Sequence, residues 1–216
     1  LQAETSVYEA KDSLLAAENG LIKARMGFNQ FLGYGLMQNV VLTDTIKEVD
    51  KPKKSLADSI KEALANRNEI HEANYNVETS TLNLKNYEAY PRGSSTYTQA
   101  KMSMLLAETG KKNAPLVVES DVRNKYLAVN EKYSAVQTGK KSVENAKESA
   151  RLAQLQYDAG MATLSDVEGI QLSLYNTQLA YSKTLLEYNL AVNDYELAST
   201  VGATASSLGS SSNQDQ

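Results

Sequence analysis

The sequence predicts an all-α fold of long antiparallel helical hairpins, packed as a coiled-coil or α-barrel type of bundle with little or no β-structure. Two series of residues at seven-residue spacing carry this prediction, one on each side of a short turn at 158–166. The first series contains Val122, Val129, Val136, Val143, Ala150 and Tyr157, and the second contains Val167, Leu174, Tyr181, Tyr188 and Tyr195. Such a repeat is typical of helices packed side by side.

Four helices are predicted, at residues 2–33, 55–89, 96–159 and 164–201. Gly33 and Gly35 follow the first helix, where glycine commonly ends a helix. Ser55 is placed as the N-cap of the second helix. In the third helix, Gly110 and Pro115 are candidate positions for a kink or a split.

The segments between these helices are short. Residues 34–52 form a linker with a candidate strand at Leu36–Leu42, and residues 90–97 form a turn where Pro91 and Gly93 stop a helix. The third helix would be roughly 95 Å long. The second and fourth helices, placed end to end, have nearly the same total length, so they could flank the third along its length. The Ser-rich tail at 203–216 is expected to be disordered.

An internal repeat divides the chain into about one and a half units. The first helix ends Phe28-x-x-x-Leu32-Gly33, and the fourth ends Leu197-x-x-x-Val201-Gly202. Residues 1–33 are therefore expected to be the closing helix of a first repeat, with residues 53–202 as a second repeat. Because Leu1 already lies in the helical pattern, we expect a processed or truncated chain.

The fourth helix carries a second apolar line, formed by Leu172, Leu179 and Leu186. A helix with two apolar lines is expected to have a neighbour on each side. Its remaining polar face would line a lumen or face solvent, and the residues favour neither. The tyrosines of the first line favour seam packing over a binding strip, because a tyrosine ring buries well while its hydroxyl stays at the wet edge.

The turn between the third and fourth helices has a local explanation. Gly160 can adopt the left-handed conformation that ends a helix. Thr163 can cap the next helix, and Asp166 then lies at its third position, against the positive end of the helix dipole. Asp166→Ala is therefore expected to lower helix stability. The exposed tip of a long hairpin is also well placed to dock a partner.

Composition excludes several classes of function. The net charge is −4 with mixed signs, which does not favour nucleic-acid binding, and the absence of cysteine excludes thiolate chemistry. No window has the ~18–20 apolar residues of a transmembrane helix. The single histidine, His71, lacks converging ligands. No metal site, cofactor site or catalytic residue is therefore predicted, and the chain is not expected to be an enzyme.

Over residues 1–202 the chain resembles the TolC-like outer membrane efflux proteins. The resemblance is carried by four segments, in this order: Leu56-x-x-Ser59-Ile60-x-x-Ala63-Leu64-x-Asn66-Arg67-Asn68-Glu69-Ile70, Val122-x-x-x-Tyr126-Leu127, Tyr157-x-x-Gly160-x-x-Thr163-x-x-Asp166-Val167, and Tyr188-Asn189-x-Ala191 with Leu197 and Gly202.

The resemblance implies an exported protein of the cell envelope that forms a homo-oligomer. Members of the family are trimers whose two repeats per subunit build an α-helical barrel in the periplasm, capped by a β-barrel in the outer membrane. They work with an inner-membrane pump and a periplasmic adaptor. The implied docking tip for the adaptor is Gly160, Met161, Ala162, Thr163, Leu164 and Asp166.

One departure from the family pattern keeps alternatives open. The family inserts two membrane-spanning strands between the second and third helices, which needs more than about 20 residues. The break at 90–97 has eight residues. The first hypothesis is a component of an envelope-spanning efflux conduit. The second is a helical scaffold or interaction protein of the envelope without the barrel, and the third is a coiled-coil bundle that resembles the family by convergence.

Overall fold

The structure is a computed structural model that describes residues 2–202. It contains five helices: α1 (Gln2–Phe31), α2 (Leu56–Asn66), α3 (Asn68–Asn86), α4 (Ser95–Asp158) and α5 (Leu164–Thr200). No strand occurs within this described range. The all-α fold class is therefore confirmed. The tail at 203–216 lies outside the described residues, so its predicted disorder stays a prediction.

The chain divides between Thr45 and Ile46 into two compact units. In the first unit, α1 ends at Gly33, which has a positive φ of 73° and lets Tyr34 N–H donate to the Asn29 carbonyl at 2.8 Å. This is the glycine-dependent C-cap that the sequence predicts.

The candidate strand at Leu36–Leu42 does not form, so that prediction is wrong. The Asn29 side-chain amide donates to the carbonyls of Leu36 and Gln38, both at 2.9 Å, and Gln38 N–H closes a turn onto Gly35. The first unit, as described, holds no neighbouring strand that could form a ladder with this segment. A side chain therefore satisfies the backbone groups in place of a sheet.

The predicted second helix is two helices, because the chain breaks at Arg67. Its backbone is extended there, with φ −71° and ψ 137°. The side chain is only 4% exposed and forms ion pairs with Glu69 and Asp121. α3 also ends three residues before the predicted end at Ala89, since the following residues turn with Tyr87 and Tyr90 in an edge-to-face contact at 5.6 Å.

Helix α4 is continuous over 64 residues, and neither Gly110 nor Pro115 splits it. It begins after Ser94, whose hydroxyl accepts a hydrogen bond from Tyr97 N–H at 3.3 Å. It packs against α2, α3 and α5, and so forms the axis of the second unit.

The core of the second unit lies where α2, α4 and α5 meet. Its buried members are Ala63, Val118, Val122, Val129, Val136, Leu185, Tyr188, Val192, Tyr195 and Ala198. α2 therefore packs against both α4 and α5. The sequence instead predicts that the second and fourth helices lie end to end along the third. Fully buried small residues of α2, Ser59 and Ala63, let its backbone approach both neighbours.

The seven-residue lines form the seam between α4 and α5, as predicted, except at Tyr157, which lies next to the tip and is 40% exposed. Tyr188 and Tyr195 are 0% and 1% exposed, and their rings lie 5.7 Å from those of Tyr133 and Tyr126. Tyr181 packs over Gly139, where an added Cβ would lie 3.0 Å from the ring. These contacts confirm seam packing for the three tyrosines of α5. The predicted wet edge is wrong for Tyr188 and Tyr195, whose hydroxyl oxygens are buried because the core of α2, α4 and α5 closes around both side chains.

A connecting segment, residues 46–54, runs along the α4–α5 hairpin and is held by polar contacts. The Asn189 side chain accepts from Val49 N–H at 3.3 Å and donates to the Lys47 carbonyl at 2.8 Å. The Lys51 ammonium lies 3.6 Å from the centroid of the Tyr133 ring, a cation–π contact. The segment thus covers part of the tyrosine seam.

Candidate functional site

The tip of the α4–α5 hairpin closes α4 with a double hydrogen bond. Met161 N–H donates to the Gln156 carbonyl at 2.8 Å, and Gly160 N–H donates to the Tyr157 carbonyl at 2.9 Å. This Schellman arrangement requires the positive φ of Gly160, which is 73°. The predicted role of Gly160 in ending the helix is confirmed.

The next helix begins with a reciprocal capping box. Asp166 N–H donates to the Thr163 hydroxyl oxygen at 3.3 Å, and the Asp166 carboxylate accepts from Thr163 N–H at 2.9 Å and from its hydroxyl at 2.7 Å. The side-chain and backbone hydrogen bonds from Thr163 lower the pKa of Asp166. Both residues therefore have the capping roles that the sequence predicts.

The six predicted docking residues lie together in this turn and first helical turn. Gly160, Met161, Thr163, Leu164 and Asp166 are exposed, and Ala162 is half-buried. Met161 and Leu164 expose 75% and 55% of their surface, whereas Val167, the first seam residue, is buried. The tip thus presents two apolar side chains on a backbone that local hydrogen bonds hold in place.

A second exposed feature runs along α5, and we call it the leucine stripe: Leu172, Tyr175, Leu179, Leu186 and Leu190. Its members are 44–62% exposed. The stripe includes the second apolar line that the sequence predicts. No other helix of the second unit, as described, covers the leucine stripe, whereas α4 packs against the first apolar line.

A shallow surface depression on α5, with Ser142 of α4 at its edge, includes Leu172 of the stripe. Small residues line most of it, among them Ser142 of α4 and Gly169, Ser173 and Ala180 of α5. The depression is shallow and open to solvent, and its small side chains leave space beside Leu172.

The junction around Arg67 is a feature that the sequence reasoning missed. The guanidinium donates to the Asp121 carboxylate at 2.6 Å and to the Ala198 carbonyl at 3.4 Å, and it also pairs with Glu69. The hydrogen bond from Arg67 lowers the pKa of Glu69. The only signal in the sequence is a charged residue in the run Asn66-Arg67-Asn68, where two asparagines weaken helix propensity.

His71 is exposed, and no group of three His, Cys, Asp or Glu residues is placed to hold a metal ion within residues 2–202. None of the helices in this range has a stretch long and apolar enough to span a bilayer.

No protein-family model matches the chain, and no curated protein sequence matches it either. The resemblance to TolC-like proteins therefore stays a prediction from the four segments of sequence.

Proposed function

We propose that this chain is a component of an envelope-spanning export conduit of the TolC-like kind. The conduit is a passive helical tunnel formed by several copies, and a partner pump drives cargo through it. The observation that carries the proposal is the leucine stripe, which leaves a second apolar face of α5 uncovered next to a seam that is already filled.

The angle between the two faces of α5 favours a ring over a compact bundle. Leu172 and Val167 are five residues apart, which places them about 140° apart around a helix. In a three- or four-helix bundle, the directions from one helix to its two neighbours differ by roughly 60–90°. In a ring of about nine helices, the same angle is about 140°. α5 is therefore suited to a wall with a neighbour on each flank.

In this proposal the tip is the docking point for a periplasmic adaptor. Met161 and Leu164 supply apolar surface, and the capping box and the Schellman turn hold that surface in one conformation. A preorganised apolar tip loses little conformational entropy when a partner binds. The role of Asp166 is then to hold the tip in place.

A helical scaffold or interaction protein of the cell envelope is the second candidate. The connection between α3 and α4 favours this candidate. It has eight residues, 87–94, and ends at Ser94, the N-cap of α4. Two membrane-spanning strands would need more than about 20 residues at this position. A protein of this kind would use the hairpins to bind partners without forming a tunnel.

Sedimentation equilibrium of the chain over a wide concentration range separates the two. The conduit predicts a defined oligomer that Leu179→Asn converts to monomer. The matched control is Leu82→Asn, an equally exposed leucine on α3 that lies outside the stripe. A monomer at every concentration would contradict assembly through the stripe and favour the scaffold. An oligomer that both variants leave intact would show that another surface holds the copies together.

A further inference from the structure

One side of the N-terminal half of α4 is exposed and apolar and carries no charge. Ala100 and Val118 are buried against the neighbouring helices, and this side lies roughly opposite to them around the helix. No charged residue lies on it between Ser95 and Ser120. We call it the outer face of α4. Its large side chains are 52–68% exposed: Met102, Leu105, Leu106, Leu116 and Val117.

An exposed apolar face of this length is typical of a surface that another helix covers. Solvated helix faces are usually rich in charged residues, whereas the centres of protein interfaces are depleted of them. Single exposed leucines are common in monomers, but the large side chains of the outer face follow one line over about 22 Å of helix. The charges beside the face indicate which helix covers it.

Four charged residues lie along one flank of the outer face, within an arc of about 40° around the helix. Three of them form no ion pair with any residue in the range 2–202: Lys101, Glu108 and Lys112. The fourth is Glu119, and Arg123 donates to only one of its carboxylate oxygens. The flank therefore has charges of both signs that can pair with a partner.

The charges on one side of Gly110 are opposite in sign to those on the other side. Lys101 and Glu119 each lie nine positions from Gly110, in opposite directions. Glu108 and Lys112 each lie two positions from it. If a second copy of α4 packs antiparallel with its Gly110 at the same height, every lysine of the flank faces a glutamate. The apolar side chains lie four to eight positions from Gly110 in both directions, so they overlap in the same register.

We propose that the outer face of α4 binds a second copy of this chain, in an antiparallel dimer with a two-fold axis at Gly110. In an antiparallel pair of helices, each flank meets the same flank of the partner, which brings lysines and glutamates together at four places. In a parallel pair, the charged flank would meet the other flank, which has no charged residue between Ser95 and Ser120. The charges therefore fix both the orientation and the register.

The dimer presents its two hairpin tips at opposite ends. Each tip lies about 75 Å from Gly110 along α4, and the two copies of α4 run in opposite directions. One dimer could therefore hold two partners apart. The inference goes beyond the proposed function, because it needs neither the leucine stripe nor a docking role for the tip.

Sedimentation equilibrium of Leu179→Asn tests this contact without assembly through the leucine stripe. We expect a dimer in about 20 mM sodium chloride, where charges interact over a long range. In about 0.5 M sodium chloride the ion pairs are screened, so the contact weakens and the variant is the monomer expected above. A monomer at every concentration in low salt, or a dimer equally stable at both salt concentrations, would overturn the proposal.

Charge reversal in the same Leu179→Asn chain tests the orientation. Lys101→Glu and Glu119→Lys should each weaken the dimer by about tenfold or more, because two attractive pairs become repulsive. An equimolar mixture of the two variants should form a 1:1 heterodimer about as stable as the original dimer, because each glutamate again faces a lysine. The two positions are 18 residues apart on one helix, so this rescue cannot arise within a single chain.

The matched control is Lys111→Glu, an exposed position of α4 that lies outside the charged flank. It changes the net charge as much as Lys101→Glu does, and it should leave the dimer unchanged. If the mixture formed no heterodimer, or if the control weakened the dimer as much as Lys101→Glu, the antiparallel contact at Gly110 would be excluded.

Discussion

The C-terminal ends of α4 and α5 are closed in the same way but lie in different surroundings. Each helix closes on a glycine with positive φ, Gly160 at 73° and Gly202 at 87°. A Cβ added at Gly160 would meet nothing within 4 Å. A Cβ added at Gly202 would lie 2.9 Å from both the Arg67 Nε atom and a carboxylate oxygen of Glu69. A glycine with positive φ therefore ends both helices, but Gly160 lies in an uncrowded turn, whereas Gly202 is packed against the Arg67 junction.

The difference indicates what each region can tolerate. The tip is held by hydrogen bonds among residues 156–166, so its exposed side chains can change without loss of the fold. The junction joins the start of α3 to α4 and to the end of α5 through one side chain, Arg67. The tip can therefore present a binding surface to a partner, whereas the residues of the Arg67 junction hold the three helices together.

The largest expected effect is at the junction. Arg67→Ala should lower the free energy of unfolding by about 3 kcal/mol, because it removes a buried guanidinium that forms hydrogen bonds with Glu69, Asp121 and the Ala198 carbonyl. Chemical denaturation measures this change. The control is Arg123→Ala, which removes an exposed ion pair with Glu119 and should cost only about 0.5 kcal/mol. Equal losses for both variants would show that the junction is no more than a surface ion pair.

The two glycines provide the most direct test of the comparison. Gly160→Ala should cost about 1–2 kcal/mol for the left-handed backbone alone. Gly202→Ala adds the collision with the side-chain ends of Arg67 and Glu69, which must shift, and should cost about 1 kcal/mol more. Thermal unfolding of the two variants side by side measures the difference. If the two losses were the same, the close packing at Gly202 would be contradicted.

The smallest effect is expected at the tip. Thr163→Ala should lower the free energy of unfolding by about 1 kcal/mol, because the first turn of α5 loses its N-cap. Thr163→Ser keeps the hydroxyl and is the control, with little change expected. Amide hydrogen exchange at residues 164–167 should rise in the alanine variant and not at the junction. A spread of faster exchange to the junction would show that the two regions unfold together.

The cap also predicts a dependence on pH. The hydrogen bonds from Thr163 hold the pKa of Asp166 below its ordinary value of 3.8. The charged carboxylate therefore stabilises the fold fully above about pH 3.8, and this contribution is lost as the pH falls through the lower pKa of the folded state. The stability difference between the unsubstituted chain and Asp166→Asn should be constant at neutral pH and should narrow below pH 3.8. A difference that stays constant at low pH would contradict the charged cap.

Much of the fold and of the candidate site could be predicted from the sequence, because short-range rules govern those parts. The seam residues follow a period of seven, and the tip residues Gly160, Thr163 and Asp166 form hydrogen bonds no more than a few positions along the chain. Helix positions and caps depend on such neighbours.

The junction and the exposed faces were decided by tertiary structure. Arg67 finds Asp121 54 positions away and the Ala198 carbonyl 131 positions away, and no local pattern encodes such pairs. The same reason accounts for the packing of α2 beside α5 and for the missing strand at Leu36–Leu42, which would have needed a distant partner strand. Whether an apolar line such as that of Leu172 and Leu179 is covered or exposed depends on which helices reach it, and only the folded chain determines that.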